Sequence, residues 1–307
     1  MRTTRTSWAG VFFLCLFTVR AASSGEHETG APEPTADALV AAIPFEKNAN
    51  DGRIVIDLAP DGHRPLTMLL DTGATASIVT PRYARSLGVS PRKVRDREVQ
   101  RATRLGRDLL FWVDTRRSDT AAPGSFEFGV VGGTFLRNYV VELDFESRIV
   151  RFFDPDRYAV PERVDDPAVS IVAMKLRANR PFVELKIRGK PVTVLLDTGL
   201  ALPVVLSGDA SRKVGLNLEA SAPDGRITIP FGSTELVQAG LERVELGGFA
   251  MDAVPIAVAE KGLFNQAGPM DAILGTGLLQ AFKVRLDYPR RRIWLQRRAK
   301  QASPTPQ

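Results

Sequence analysis

"LLDTG" occupies Leu69–Gly73 and recurs at Leu195–Gly199. Each copy closes an apolar run, "LTMLL" in the first case and "VTVLL" in the second, so each aspartate stands where a buried strand would end. A carboxylate in such a place is costly unless something pairs with it or uses it. Two copies therefore point either to two carboxylates brought together or to one structural Asx turn used twice.

The surroundings of the two copies follow one plan. Upstream of the first, "RIVIDL" alternates Ile54, Ile56 and Leu58 with other residues; upstream of the second, "FVELKIRG" alternates Val183, Leu185 and Ile187 with charged ones. That period of two predicts a strand in each case. The turns "APDGHRP" and "RGK" then lead into the apolar runs. Downstream, "VVGGTFLRNYVVELDF" (Val130–Phe145) matches "ILGTGLLQAFKVRLDY" (Ile273–Tyr288) without a gap, at an offset of 143 that aligns Gly132 with Gly275 and Asp144 with Asp287. The offset of the DTG motifs is 126, which leaves 17 extra residues between the motifs of the second copy, where a loop or hairpin varies most easily. The chain thus reads as a duplication, with halves at 45–160 and 168–298 and a junction near Asp154–Ala168.

Duplication has a chemical use. Two carboxylates held about 3 Å apart cannot both ionise and so share a proton. The charged member can activate a water while the protonated one donates to a substrate carbonyl, which is amide hydrolysis without metal, thiol or histidine. Gly after each Asp-Thr allows a tight turn and close packing at the axis. The Thr hydroxyl can bond across to the partner loop.

In these motifs the chain resembles the retropepsin-like aspartic proteases of bacteria, with both lobes in one polypeptide. "LLDTGATASIVT" and the apolar-apolar-Gly segments "VVGG" and "AILG" carry the resemblance, which spans nearly all of residues 45–298. It implies an all-β, two-lobed acid-protease fold with pseudo-twofold symmetry, a cleft between the lobes, and each apolar-apolar-Gly segment packed behind its DTG loop. It also implies catalytic roles for Asp71 and Asp197, cross-bonding by Thr72 and Thr198, and turn formation by Gly73 and Gly199. The second motif departs from the pattern, with Leu200 where a small or hydroxyl residue is usual and Pro203 where the first copy has Ser77. That departure keeps a second reading open, a catalytically inactive peptide- or protein-binding module. The flap has two candidates, Glu98–Val113 and Gly225–Gly240.

The rest of the sequence narrows the classes. "MRTTRTSWAGVFFLCLFTVRAASSG" has the basic start, short apolar stretch and small residues of a secretory signal peptide over 1–22, so export to the periplasm or beyond is expected. Residues 23–44 read as a flexible leader and 299–307 as a tail. Removing 1–22, with three arginines and no acid, takes the net charge from +6 to +3. No basic stripe with interleaved aromatics exists, so nucleic acid is not an expected partner. No segment is long enough for stable membrane insertion. Cys15, the only cysteine, lies in the signal segment, and the two histidines, His27 and His63, have no motif partner; neither metal nor cofactor is expected. Asp144, Asp287 and the run Arg290–Arg292 read as structural strand ends and a solvated turn. The expected partner is a peptide or protein substrate, bound by a monomer that assembles its pair of aspartates within one chain.

Overall fold

In the computed structural model the described residues are 34, 36–47, 52–58, 66–81, 84, 98–102, 108–113, 129–159, 164–216, 225–229, 232–259, 264 and 270–298. The signal segment, Cys15, both histidines and the tail lie outside them. Strands dominate, and the fold is all-β. The first repeat supplies β1 (Leu39–Lys47), β2 (Ile54–Leu58), β3 (Leu66–Leu70), β4 (Ser77–Val79), β5 (Glu98–Ala102), β6 (Asp108–Val113), β7 (Gly129–Val131), β8 (Val140–Asp144) and β9 (Ile149–Phe153). The second supplies β10 (Val169–Ala173), β11 (Lys175–Arg177), β12 (Arg180–Ile187), β13 (Lys190–Asp197), β14 (Val204–Ser207), β15 (Gly225–Ile229), β16 (Gly232–Leu246), β17 (Phe249–Ala259), β18 (Ala272–Gly275), β19 (Phe282–Asp287) and β20 (Arg292–Arg297). The helices given bounds among the described residues are short: α1 (Gly133–Leu136), α2 (Gly208–Val214) and α3 (Thr276–Leu279). No helix among the described residues is long and apolar enough to cross a membrane.

Two compact units emerge, and they do not follow the two repeats. One lies within Glu184–Val194 and Pro203–Ile273, the other within Gly25–Val183, Leu195–Leu202 and Leu274–Gln307. The larger unit holds a sheet of order β10-β20-β19-β8-β9-β1-β2-β3-β7-β4-β6-β5. Its middle explains the division. β8 pairs antiparallel with β19, so the second-to-last strands of both repeats belong to one ladder and cannot be parted along the sequence junction. "VVELD" in β8 is buried at every residue, as suits a strand covered on both faces.

In the smaller unit, β16 and β17 form a long antiparallel hairpin turned at Gly247–Gly248, both with positive φ, and β14 lies parallel to β17. Helix α2 starts where the Ser207 hydroxyl accepts from the Ala210 amide at 3.1 Å and stops at left-handed Gly215. Both flap candidates form antiparallel hairpins: β5 with β6, from Glu98↔Trp112 to Ala102↔Asp108, and β15 with β16. The tip of the first, including Leu105–Arg107, falls outside the described residues.

Three readings need correction. The leader expected over 23–44 ends earlier, because Ala36–Ala38 is a short 3-10 turn and Leu39–Lys47 is a strand inserted between β9 and β2. Its alternation is weak because most of its side chains are exposed; the ladder and a few anchors hold it. Ala38 packs with Val140, Phe153 and Tyr158, and Phe45 meets Phe145 edge-on at 5.9 Å. The junction is likewise partly built in: Asp154 N–H donates to Ala38 O at 2.8 Å, and Tyr158 is buried against Phe153. The turn after β19 is present and Arg291 is exposed there, but Arg290 and Arg292 are held. Arg292 Nε donates to the buried Asp287 carboxylate at 3.0 Å, and Arg290 donates to Pro155 O at 2.9 Å. Asp144 ends β8 as a strand-end residue should, accepting from the amides of Glu146 and Ser147.

The placement of β1 yields a prediction. Phe45→Ala should destabilise the protein by about 3–5 kcal/mol, the usual cost of emptying a buried phenylalanine site. Denaturant unfolding measures it; a change within about 0.5 kcal/mol, the range of exposed positions, would restore the leader reading.

Candidate active site

Strand β3 runs parallel to β7, with Leu70 beside Val131, and delivers Asp71 to a tight turn. The Asp71 amide donates to Val131 O at 3.0 Å and the Ala74 amide to Asp71 O at 3.3 Å. In the second repeat β13 ends on Asp197, and the Leu200 amide donates to Asp197 O at 3.2 Å. Both turns lie in the larger unit.

The two turns hold each other through their threonines. Thr72 Oγ1 donates to Leu196 O at 2.7 Å and accepts from the Thr198 amide at 3.0 Å. Thr198 Oγ1 donates to Leu70 O at 2.6 Å and accepts from the Thr72 amide at 3.0 Å. Both side chains are buried, so every donor and acceptor in this ring is satisfied by the other repeat.

This ring sets the aspartates face to face, and their carboxyl groups hydrogen-bond to each other. Asp71 also accepts from the amides of Gly73 and Ala74, the latter at 2.8 Å; Asp197 accepts from the Gly199 amide at 2.7 Å. Burial raises both carboxyls above the ordinary range. Asp197 rises furthest, because the Asp71 charge adds to its burial, whereas hydrogen bonds to Asp71 oppose the rise there. The two titrate as a unit.

Of the two reasons expected for the glycines, close packing at the axis is the one that applies. Neither Gly73 nor Gly199 has a positive φ. A methyl group on Gly73 would lie 2.4 Å from Asp197 Cγ, and one on Gly199 would lie 2.7 Å from Asp71 Cγ. Close approach of the carboxylates, and not turn formation, excludes a side chain. The apolar-apolar-Gly segments do pack behind the loops. Gly133 N–H donates to Ala74 O and Thr276 N–H to Leu200 O, each at 2.8 Å, and these donors are 143 residues apart. A Cβ on Gly275 would lie 2.3 Å from the carbonyls of Leu200 and Leu202.

The departures in the second motif have local answers. Ser77 accepts from the Gly132 amide at 3.1 Å, a tie that Pro203 cannot copy for want of a hydroxyl. Instead the Thr276 hydroxyl donates to Leu200 O at 3.3 Å. Leu200 is buried, and its backbone keeps two of the bonds of Ala74, from its amide to the Asp197 carbonyl and from the Thr276 amide to its own carbonyl. Among the described residues, no group of three or more His, Cys, Asp or Glu converges as a metal site would.

A family model described as aspartyl protease matches residues 56–117 and 183–278, just over half of the chain, including both DTG motifs. The chain belongs to the aspartyl protease family. Among solved structures, it is similar to a retropepsin-like aspartic protease from Rickettsia conorii, at 19% identity over 42% of this chain and 90% of that one, with a TM-score of 0.33. It is also similar to basic 7S globulin from soybean, at 12% identity over 83% of this chain and 94% of that one, with a TM-score of 0.45. No curated protein matches.

Beside the aspartyl protease motifs stand two arginines that the motif reading passed over. The β2–β3 register, Val55↔Leu69, continued by two residues puts Arg53 opposite Asp71. Strands β12 and β13, joined by the two-residue turn Arg188–Gly189, begin and end with Arg180 and Asp197. Arg53 acts electrostatically on both carboxyls, and both carboxyls act on Arg180. An Arg just ahead of each alternating apolar run, Arg53 before Ile54 and Arg180 two residues before Phe182, was the available signal. Next to Arg180, Asn179 (φ 63°) donates to Thr75 O at 3.3 Å and accepts from Arg137 at 3.0 Å, bracing the first loop.

The threonine ring is testable. Thr72→Val keeps the shape but strands the Leu196 carbonyl and the Thr198 amide, at about 1–3 kcal/mol for each buried group. Thr198→Val should cost a similar amount and Thr75→Val, at an exposed position, almost nothing. Equal midpoints for all three in denaturant unfolding would show that the ring holds nothing.

Proposed function

We propose that this aspartyl protease family member is an exported aspartic endopeptidase that cleaves peptide bonds through a water activated by Asp71 and Asp197. The observation that carries the reading is the carboxyl–carboxyl hydrogen bond inside the threonine ring. Asp71 accepts from two amides and Asp197 from one, so hydrogen bonding favours the negative charge on Asp71 and leaves the shared proton to Asp197. Asp71 then takes a proton from water while Asp197 donates to the substrate carbonyl, and the roles reverse as the tetrahedral intermediate collapses and the amine leaves protonated. Thr72, Gly73, Thr198 and Gly199 act by fixing this geometry. Export to the periplasm or beyond is supported by the composition of residues 1–22.

Asp71→Asn and Asp197→Asn should each lower peptide turnover by about 10²–10⁴-fold or more, with the double variant no worse than either single. Parent-like turnover in either single variant sinks the two-carboxylate mechanism. A folded parent that binds peptides but cleaves none at any pH would establish the binding-module reading instead.

Two pH effects follow from the raised carboxyls. The acidic limb of the rate profile should lie above the ordinary carboxylate range. Arg53→Gln or Arg180→Gln should move it upward by removing a nearby positive charge, and Leu200→Thr should move it downward by offering a hydroxyl to the charged form. Stability changes with the opposite logic. A carboxyl raised on folding favours the native state below its unfolded value of about 4, and that advantage disappears as pH rises through the folded value. Asp197→Asn should therefore unfold at a higher temperature than the parent at neutral pH and show little gain in strong acid. A uniform gain across pH would mean that ionisation is not the cause.

A further inference from the structure

The threonine ring does not distinguish the repeats. Both carry Leu-Leu-Asp-Thr-Gly, so a first repeat could engage a second copy of itself through the same four hydrogen bonds. Something else must make each repeat choose the other.

The choice is visible where β8 meets β19. Their antiparallel register pairs Glu142 with Arg285. These residues are also equivalents, since the repeats align there at an offset of 143. A residue that faces its own equivalent sits on the local twofold axis of the duplication. Glu142 and Arg285 hydrogen-bond as a close ion pair, with only 1% and 2% of their side chains exposed. Arg151 Nη1 adds a second contact to Glu142 at 2.7 Å.

On such an axis, pairing between like repeats gives each residue itself as partner. Two first repeats would bury Glu142 against Glu142, and two second repeats would bury Arg285 against Arg285. The flanking rungs change as well. The present ladder sets Lys283 beside Asp144, with the charges 3.8 Å apart, whereas like-with-like pairing sets Asp144 opposite Val140 and Lys283 opposite Asp287. Like charges brought together away from water repel strongly; Glu142 would keep Arg151 of its own repeat, but Arg285 would be buried against a second arginine with the Glu142 carboxylate gone, which is costly.

We infer that Glu142 and Arg285 form a partner-selecting lock on the duplication axis: the face carrying β8 accepts the face carrying β19 and rejects a second copy of itself. The interaction surface of each repeat thus fits one class of partner, a complementary repeat with the opposite axial charge. This inference concerns assembly and does not depend on the chain being a protease.

Full-length variants test it. Replacing both residues together, Glu142→Leu with Arg285→Leu, removes the lock while leaving a packed apolar contact, a change that buried ion pairs often tolerate. The parent should remain monomeric across a hundredfold range of concentration, and the leucine variant should form dimers whose fraction rises with concentration, read by light scattering after size exclusion. A leucine variant as strictly monomeric as the parent overturns the inference. Should that variant not fold, the charges themselves decide. Glu142→Arg and Arg285→Glu chains, made separately, should each lose about 10 °C or more in thermal midpoint. Co-expressed with different tags, they should be recovered as a 1:1 complex with the midpoint restored. Parental midpoints for the separate chains, or no mixed complex, overturn it equally.

Discussion

Two threonine hydroxyls carry the geometry on which the site depends. Each is buried, and each bonds a carbonyl and an amide of the other repeat. Because all four groups are shielded from water, none has an alternative partner, and the two turns are fixed to within the tolerance of a short hydrogen bond. That constraint forces the next one. With the turns locked, the aspartates meet whether or not both carry charge, and the repulsion is relieved by keeping a proton between them. The absence of side chains at Gly73 and Gly199 is a third consequence, since the opposing carboxylate already occupies the space.

Most of the fold's repeating part was legible because burial imposes a period. Ile54, Ile56 and Leu58 alternate in a strand with one covered face; "VVELD" and "KVRLD" supply the second-to-last strand of each repeat with a run that alternation alone would not explain, but their match at a fixed offset did. The DTG motifs marked the pair of carboxylates through an energetic oddity, acid at the end of an apolar run. Strand β1 was hidden because its side chains are mostly exposed and its bonds are made by the backbone, which leaves no mark in residue type. The division into units was hidden for a different reason: it depends on which strand ends share a ladder, and β8 with β19 do so across the whole length of the second repeat.

Arg53 and Arg180 show where motif reading stops. Neither lies in the DTG or apolar-apolar-Gly segments, and each reaches the site through strand register, from the neighbouring strand of its own repeat. A hairpin brings its first residue back to its last, so the residue opening the first strand becomes a neighbour of the aspartate ending the second. The two repeats do this with turns of different length, and for that reason the arginines do not align at the DTG offset of 126.

The insertion of β1 between β9 and β2 also limits how the chain can mature. A processing enzyme that cut within Leu39–Lys47 would withdraw a strand that two neighbours use. The window for harmless trimming is therefore bounded by hydrogen bonding and not by composition. The ladder on both sides of Leu39–Lys47 shields its backbone from any protease that must bind it extended.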